Sequence, residues 1–281
     1  MYEIVSLTFL LYVMYENFLL LGILCFGYLI APFFTNRFFL NQSKVYTRFH
    51  LISITLLILA IYFRIPKLSF VWILFSGFGM ILFYKIHRNV LFQFNTWIKF
   101  FPLGFSSISS VWFFCGTNEC SLLGYNTTWS YYAAIHSCYI GWLFLSGVIF
   151  LFAKNQEQKT GNFLILTIVI LFLMIAFGIY GNPNLKKFGV IGYLFLLPFS
   201  LIHSNILFQN QNSISRILAR SSLFFLCLTL LLATLNEFYI GFPKYILGYP
   251  LMVVFHGSIN AFIVIPCFLG SIAFASFKIQ N

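Results

Sequence analysis

Along the chain, apolar residues run in long unbroken blocks. Short clusters of Lys, Arg, Pro, Gly and Asn separate them. Alternation of apolar and polar positions would suit the strands of a barrel. Unbroken runs suit helices, which satisfy their own backbone polar groups inside lipid. Nine runs can be marked, at 4–34, 49–63, 69–84, 100–115, 128–153, 161–181, 188–208, 221–241 and 247–275. A helix that crosses a bilayer needs about 20 residues, with about 17 at the lower end. The second, third and fourth runs are short by that measure. Each is read as a tilted partner, a helix that extends into its flanks, or a re-entrant piece. The first is long enough for one extended helix or a hairpin. The pattern predicts an all-α, polytopic transmembrane helix bundle of about nine spanning helices, built as a single integral membrane domain over residues 1–281.

Composition supports that solvent. The 281 residues are 61% hydrophobic and 7% charged, with no aspartate, whereas a soluble domain carries about 25% charged residues. Too little charge remains to coat a surface that faces water. The net charge of +11 is carried by basic residues scattered between the apolar runs. No basic patch with interleaved aromatics is visible, so the charge reads as topology signals and contacts with membrane lipid headgroups, not as a nucleic-acid site. The opening segment lacks a basic leader region and a small-residue cleavage site, and is read as mature protein.

Lys and Arg in short loops stay on the cytoplasmic side. With the amino terminus outside and the carboxyl terminus inside, the inner loops and tail hold Arg37, Lys44, Arg48, Lys85, Arg88, Lys99, Lys154, Lys159, Arg216, Arg220 and Lys278. The outer loops hold Arg64, Lys67, Lys186, Lys187 and Lys244. That orientation puts "GTNECSLLGYNTT" outside, where Cys115 and Cys120 are placed to form a disulfide if the compartment is oxidising. The stretch "NVLFQFNTWIKF" reads as amphipathic and suited to the inner interface.

Polar groups inside a membrane cost free energy and usually face a partner or a cavity. His256 lies about nine residues inside the last run, roughly 14 Å deep, with Asn260 on the same face. His136 lies about 12 Å in from the same side, with Tyr132 and Tyr139 at positions that an α-helix puts on its face. Asn236 and Glu237 end the run before the last, near that outer surface. Glu16 sits in the first run. His203 lies towards an inner end, in a different environment. The loop charges thus bring His136, His256, Asn260 and Glu237 to similar depth on three helices, which suggests a shared pocket. Set against that, a buried His and Asn can simply hydrogen-bond across helices and fix their packing.

The segments "HSCYIGW" (136–142) and "HGSINA" (256–261) resemble the YndJ-like family of bacterial membrane proteins. One helix of that family reads His-Phe-His-Tyr-Ala-Gly-Phe, and a late helix carries His-Gly-x-x-Asn-Ala. His136, Tyr139 and Gly141 match the first. Cys138 stands in place of its second histidine, and Trp142 in place of Phe. His256, Gly257, Asn260 and Ala261 match the second. The resemblance covers roughly the second half of the chain and implies a bacterial cytoplasmic (inner) membrane protein. It brings no settled activity.

Three classes of function fit these residues. His136 and His256 are candidate ligands of a haem or a metal. His136, His256 and Glu237 are candidate catalytic acids and bases for a lipid or isoprenoid, with Asn260, Tyr132, Tyr139 and Asn236 as candidate binding residues. Alternatively the cluster is a packing or relay device in a transporter, or in a structural subunit with membrane-protein partners.

Overall fold

A computed structural model describes residues 2–246 and 249–275, and their side chains except those of 2–16 and 180. The side chain of Glu16, and all of Lys278, lie outside that set.

Among the described residues, nine helices are long and apolar enough to cross a membrane. The first run is one continuous helix, α1 (Tyr2–Phe39), and not a hairpin. The three short runs resolve by extension into their flanks. α2 is Lys44–Tyr62, capped by Ser43, whose hydroxyl accepts the Tyr46 amide. A 3-10 turn at Pro66–Ser69 leads into α3 (Phe70–His87). α4 is Phe94–Thr117. Charged residues broke the apolar pattern at these ends but did not break the helices. Long Lys and Arg side chains keep their stems along apolar surface while the head reaches water.

The fifth span changes its winding. α5 (Thr127–His136) passes into a π segment (Ser137–Phe144) and then into α6 (Leu145–Lys154). α7 (Gln158–Tyr180), α8 (Pro183–Leu207) and α9 (Ser213–Phe238) follow. A small antiparallel pair, β1 (Tyr245–Ile246) and β2 (Tyr249–Pro250), precedes the last span. That span is built from two π segments, Met252–Gly257 and Asn260–Val264, and α10 (Ile265–Phe274).

The chain forms two compact units, residues 1–146 and 147–281. In the first, side chains from two other spans hold α1. Tyr139 donates to the Ile23 carbonyl at 2.7 Å, His50 donates through Nε2 to the Tyr28 carbonyl at 3.1 Å, and the Trp142 indole donates to Thr35 Oγ1 at 2.6 Å. The Tyr28 hydroxyl lies 2.9 Å from Ser109 Oγ, which donates to the Ala134 carbonyl at 2.7 Å. Aromatic rings fill the space between, with Tyr28 and Trp72 stacked at 4.5 Å. In lipid such bonds supply specificity that apolar burial alone does not.

In the second unit, α7 and α8 pack closely enough that a Cβ on Gly178 would stand 2.2 Å from the Lys186 backbone nitrogen. Tyr193 donates across this pair to the Ile168 carbonyl at 3.1 Å. Against α9, the last span is fastened by Ser222, which donates to the Val264 carbonyl at 2.9 Å, and by the polar residues described next.

Candidate functional site

In the last span, His256 is the penultimate residue of the first π segment, and Asn260 opens the second. A π turn closes on i+5, so it opens the ladder and redirects side chains, and such segments recur at functional sites. His256 donates through Nδ1 to the Thr229 carbonyl at 2.9 Å. A carbonyl only accepts, so Nδ1 carries the proton and Nε2 is the acceptor nitrogen of the neutral ring. The Thr229 hydroxyl lies 2.9 Å from Asn260 Oδ1 and 3.0 Å from the Leu226 carbonyl. Its single proton is shared between them. One threonine therefore orients both residues of the motif, His256 with its backbone and Asn260 with its side chain. Both residues are half-buried. Ser258, between them, returns its hydroxyl to the Val253 carbonyl at 3.3 Å.

Thr229 was not singled out in the sequence. The available signal is a threonine in the apolar stretch "FFLCLTLLLATL", where a hydroxyl needs an acceptor.

Glu237 is not part of this cluster. Its carboxylate pairs with Lys186 at 2.9 Å. It stands eight residues beyond Thr229 on α9, or about 12 Å along the axis. Asn236 accepts Lys244 Nζ on both its backbone and side-chain oxygens at 2.9 Å. Glu237 thus ties the end of α9 to the first turn of α8, and Asn236 ties down the loop that follows α9.

His136 belongs to the first unit and is exposed. It donates through Nδ1 to the Tyr132 carbonyl, one turn back on its own helix, at 2.8 Å. Its Nε2 is then the acceptor nitrogen as well. Tyr132 packs its ring edge-on to Trp129 at 5.6 Å. Tyr139 departs from the expected face. It is buried, its hydroxyl spent on the Ile23 carbonyl. The physical reason is the π winding, which rotates each residue less about the axis than α-helical spacing assumes. Cys138 is also buried, and its Sγ lies 2.8 Å from the place of a Gly27 Cβ. The thiol is packed against α1. Gly141 is required by its neighbour, since a Cβ there would stand 2.2 Å from the Phe105 ring.

Cys115 and Cys120 stand as free thiols in this structure. Cys115 is buried at the end of α4, while the Cys120 thiol turns to the Asn118 carbonyl at 3.7 Å. His203 contacts the Glu157 carboxylate through Nε2, with Phe152 stacked on its ring at 5.2 Å. His50, overlooked because it opens a run, is buried in the first unit. Among the described residues, no group of three or more His, Cys, Asp or Glu could hold a metal ion.

The nine apolar helices among the described residues, with oriented histidines at π segments, define a polytopic membrane protein. The chain belongs to the YndJ-like family, whose model matches residues 20–264 and so extends well before the two histidine motifs. Neither the curated proteins nor the solved structures compared with it gave a match.

Proposed function

We propose that the chain binds an amphiphilic molecule from the lipid phase, of lipid or isoprenoid class, at His256 and Asn260. One observation carries this reading. The two spanning helices that hold the family's histidine motifs are the two in which π segments occur among the described residues. At both, the imidazole donates through Nδ1 to a backbone carbonyl. That arrangement fixes the ring and directs Nε2 to act as acceptor, base or ligand. A polar head bearing a hydroxyl suits Nε2 of His256, with Asn260 beside it. Among metal cofactors, a haem brings its own ring of nitrogens and asks only an axial imidazole of the protein.

The test is extraction of the purified protein, with mass spectrometry of the released lipids and an absorption spectrum. The wild type is expected to carry a molecule that His256→Gln and His256→Ala both lose while remaining folded and inserted. A Soret band lost in the same variants would select the haem. Identical extracts and spectra from all three proteins would defeat the reading.

A second reading has its own support. The bonds from Thr229 to His256 and Asn260 are sufficient as packing devices between helices, as in a transporter or a structural subunit. On that reading His256→Gln retains full function. The orientation proposed from the loop charges puts Asn118 outside and Gln211 inside. Cysteines placed at these positions in a cysteine-free background should label from opposite faces of intact vesicles.

A further inference from the structure

In the first unit, Lys and Arg gather at one end, and among the described residues none of them is paired with a carboxylate. The sequence contains no Asp or Glu between residues 17 and 118, while eight Lys and Arg fall in that stretch. Six of the eight stand where α1 and α3 finish and α2 and α4 begin: Arg37, Lys44, Arg48, Lys85, Arg88 and Lys99. Side-chain contacts bring those four helix ends together. Asn36 donates to the Ser43 carbonyl at 3.1 Å and to Thr47 Oγ1 at 2.9 Å, which joins α1 to α2. His87 donates to the Phe39 carbonyl at 3.1 Å, which joins α3 to α1. The Phe83 and Phe100 rings meet at 5.8 Å, which joins α3 to α4. Arg37, Lys44, Arg48, Lys85 and Arg88 are exposed, and Lys99 is half-buried. The other two cations, Arg64 and Lys67, lie in the connection between α2 and α3 at the opposite end.

The same end exposes aromatic side chains that water would not favour. Phe92 is 93% exposed, Phe94 58% and Trp97 53%, in the short connection after the α3 cations and the first turn of α4. Aromatic rings beside uncompensated cations match the chemistry of the headgroup layer, where rings sit at the acyl boundary and ammonium or guanidinium groups meet phosphate.

We infer that this end of the first unit is a binding surface for the phosphate headgroups of anionic phospholipids, with Arg37, Lys44 and Arg88 among its contacts and Phe92 and Trp97 seated in the boundary layer. The inference rests on charge complementarity and is independent of the His256 site.

The test uses the full-length protein in detergent with equimolar phosphatidylglycerol and phosphatidylcholine, read by native mass spectrometry. The wild type is expected to retain phosphatidylglycerol in preference. The variant Arg37→Gln/Lys44→Gln/Arg88→Gln should lose that preference by on the order of a hundredfold, from about fivefold per charge. The control Arg64→Gln/Lys67→Gln should keep it. No preference in the wild type, or an equal loss in the control, overturns the inference. Inorganic phosphate alone should leave the thermal stability unchanged. Phosphate that stabilises as well as the lipid does would assign the surface to a soluble anion instead. If the triple variant does not insert, the wild type decides. Salt raised from about 0.1 M to 1 M must release the anionic lipid, and retention indifferent to salt overturns the proposal.

Discussion

The two spans that carry the family's histidine motifs use one device in opposite surroundings. The span Thr127–Lys154 is the most enclosed of the nine, with 78% of its apolar window buried, against 33% for Met252–Phe274. Yet His136 on the enclosed helix is exposed, while His256 on the open one is half-buried and bonded to a neighbour. In the first helix the residues after the histidine are consumed by packing: Cys138 under Gly27, Tyr139 on Ile23, Gly141 under Phe105, Trp142 on Thr35. In the second the motif's polar residues reach across to Thr229. A shared motif therefore mixes two kinds of residue. Some hold the helix in place, and one presents an oriented ring.

If that division is right, the residues that follow His136 should carry the largest stability effects. Trp142→Ala removes a fully buried indole and strands Thr35. A loss of about 3–5 kcal/mol is expected from thermal or denaturant unfolding in detergent. A loss below about 1 kcal/mol would mean that the enclosed helix is not the pillar described. Gly141→Ala comes next. The new methyl must displace the Phe105 ring, at an expected cost of about 1–3 kcal/mol. Gly77→Ala serves as the control, because nothing lies within 4 Å of its Cβ position. It should be neutral or stabilising by up to about 1 kcal/mol through helix propensity. Equal destabilisation by the two would remove Phe105 from the explanation.

Much of this fold was legible, because lipid enforces it. Every apolar run became a helix, since no other single-chain element satisfies its own backbone there. The ends were less legible. Lys44 lies in the first turn of α2 and Lys85 in the last turn of α3, so the charge that seemed to close a run lies inside its helix. The π segments were not legible at all. No residue pattern separates i+5 from i+4 closure, and the error carried straight through to Tyr139, placed on His136's face by α-helical spacing. Glu237 failed for a different reason. It lies near a helix end, as estimated, but its partner was sought in the membrane when Lys186, in the first turn of α8, was available. His256 and Asn260 do share a side, since i and i+4 stay together across the α-helical residues between the two π segments, and both meet Thr229.

A smaller effect separates the open helix from the enclosed one. His256→Ala removes one bond across helices and leaves the Thr229 carbonyl without its ring donor. The expected loss is about 1–2 kcal/mol. Thr229→Val keeps that carbonyl and deletes only the hydroxyl bonded to Asn260, so it should cost less than His256→Ala. If Thr229→Val costs more, the hydroxyl and not the carbonyl is the anchor of the cluster, and Asn260 is its principal partner.

The smallest expected effect is the sharpest test of the comparison. His136 is exposed, and the bond it makes runs to Tyr132 on its own helix, one turn back. Among the described residues the ring makes no hydrogen bond across helices, so truncating it loosens no helix pair, whereas the His256 bond joins two spans. His136→Ala should therefore change stability by no more than about 0.5 kcal/mol, well under the cost at His256. The decisive measurement pairs unfolding of His136→Ala with growth complementation. Unchanged stability with lost function assigns His136 to a site. A stability loss as large as that of His256→Ala would make both histidines packing residues, and the contrast between the two helices would disappear.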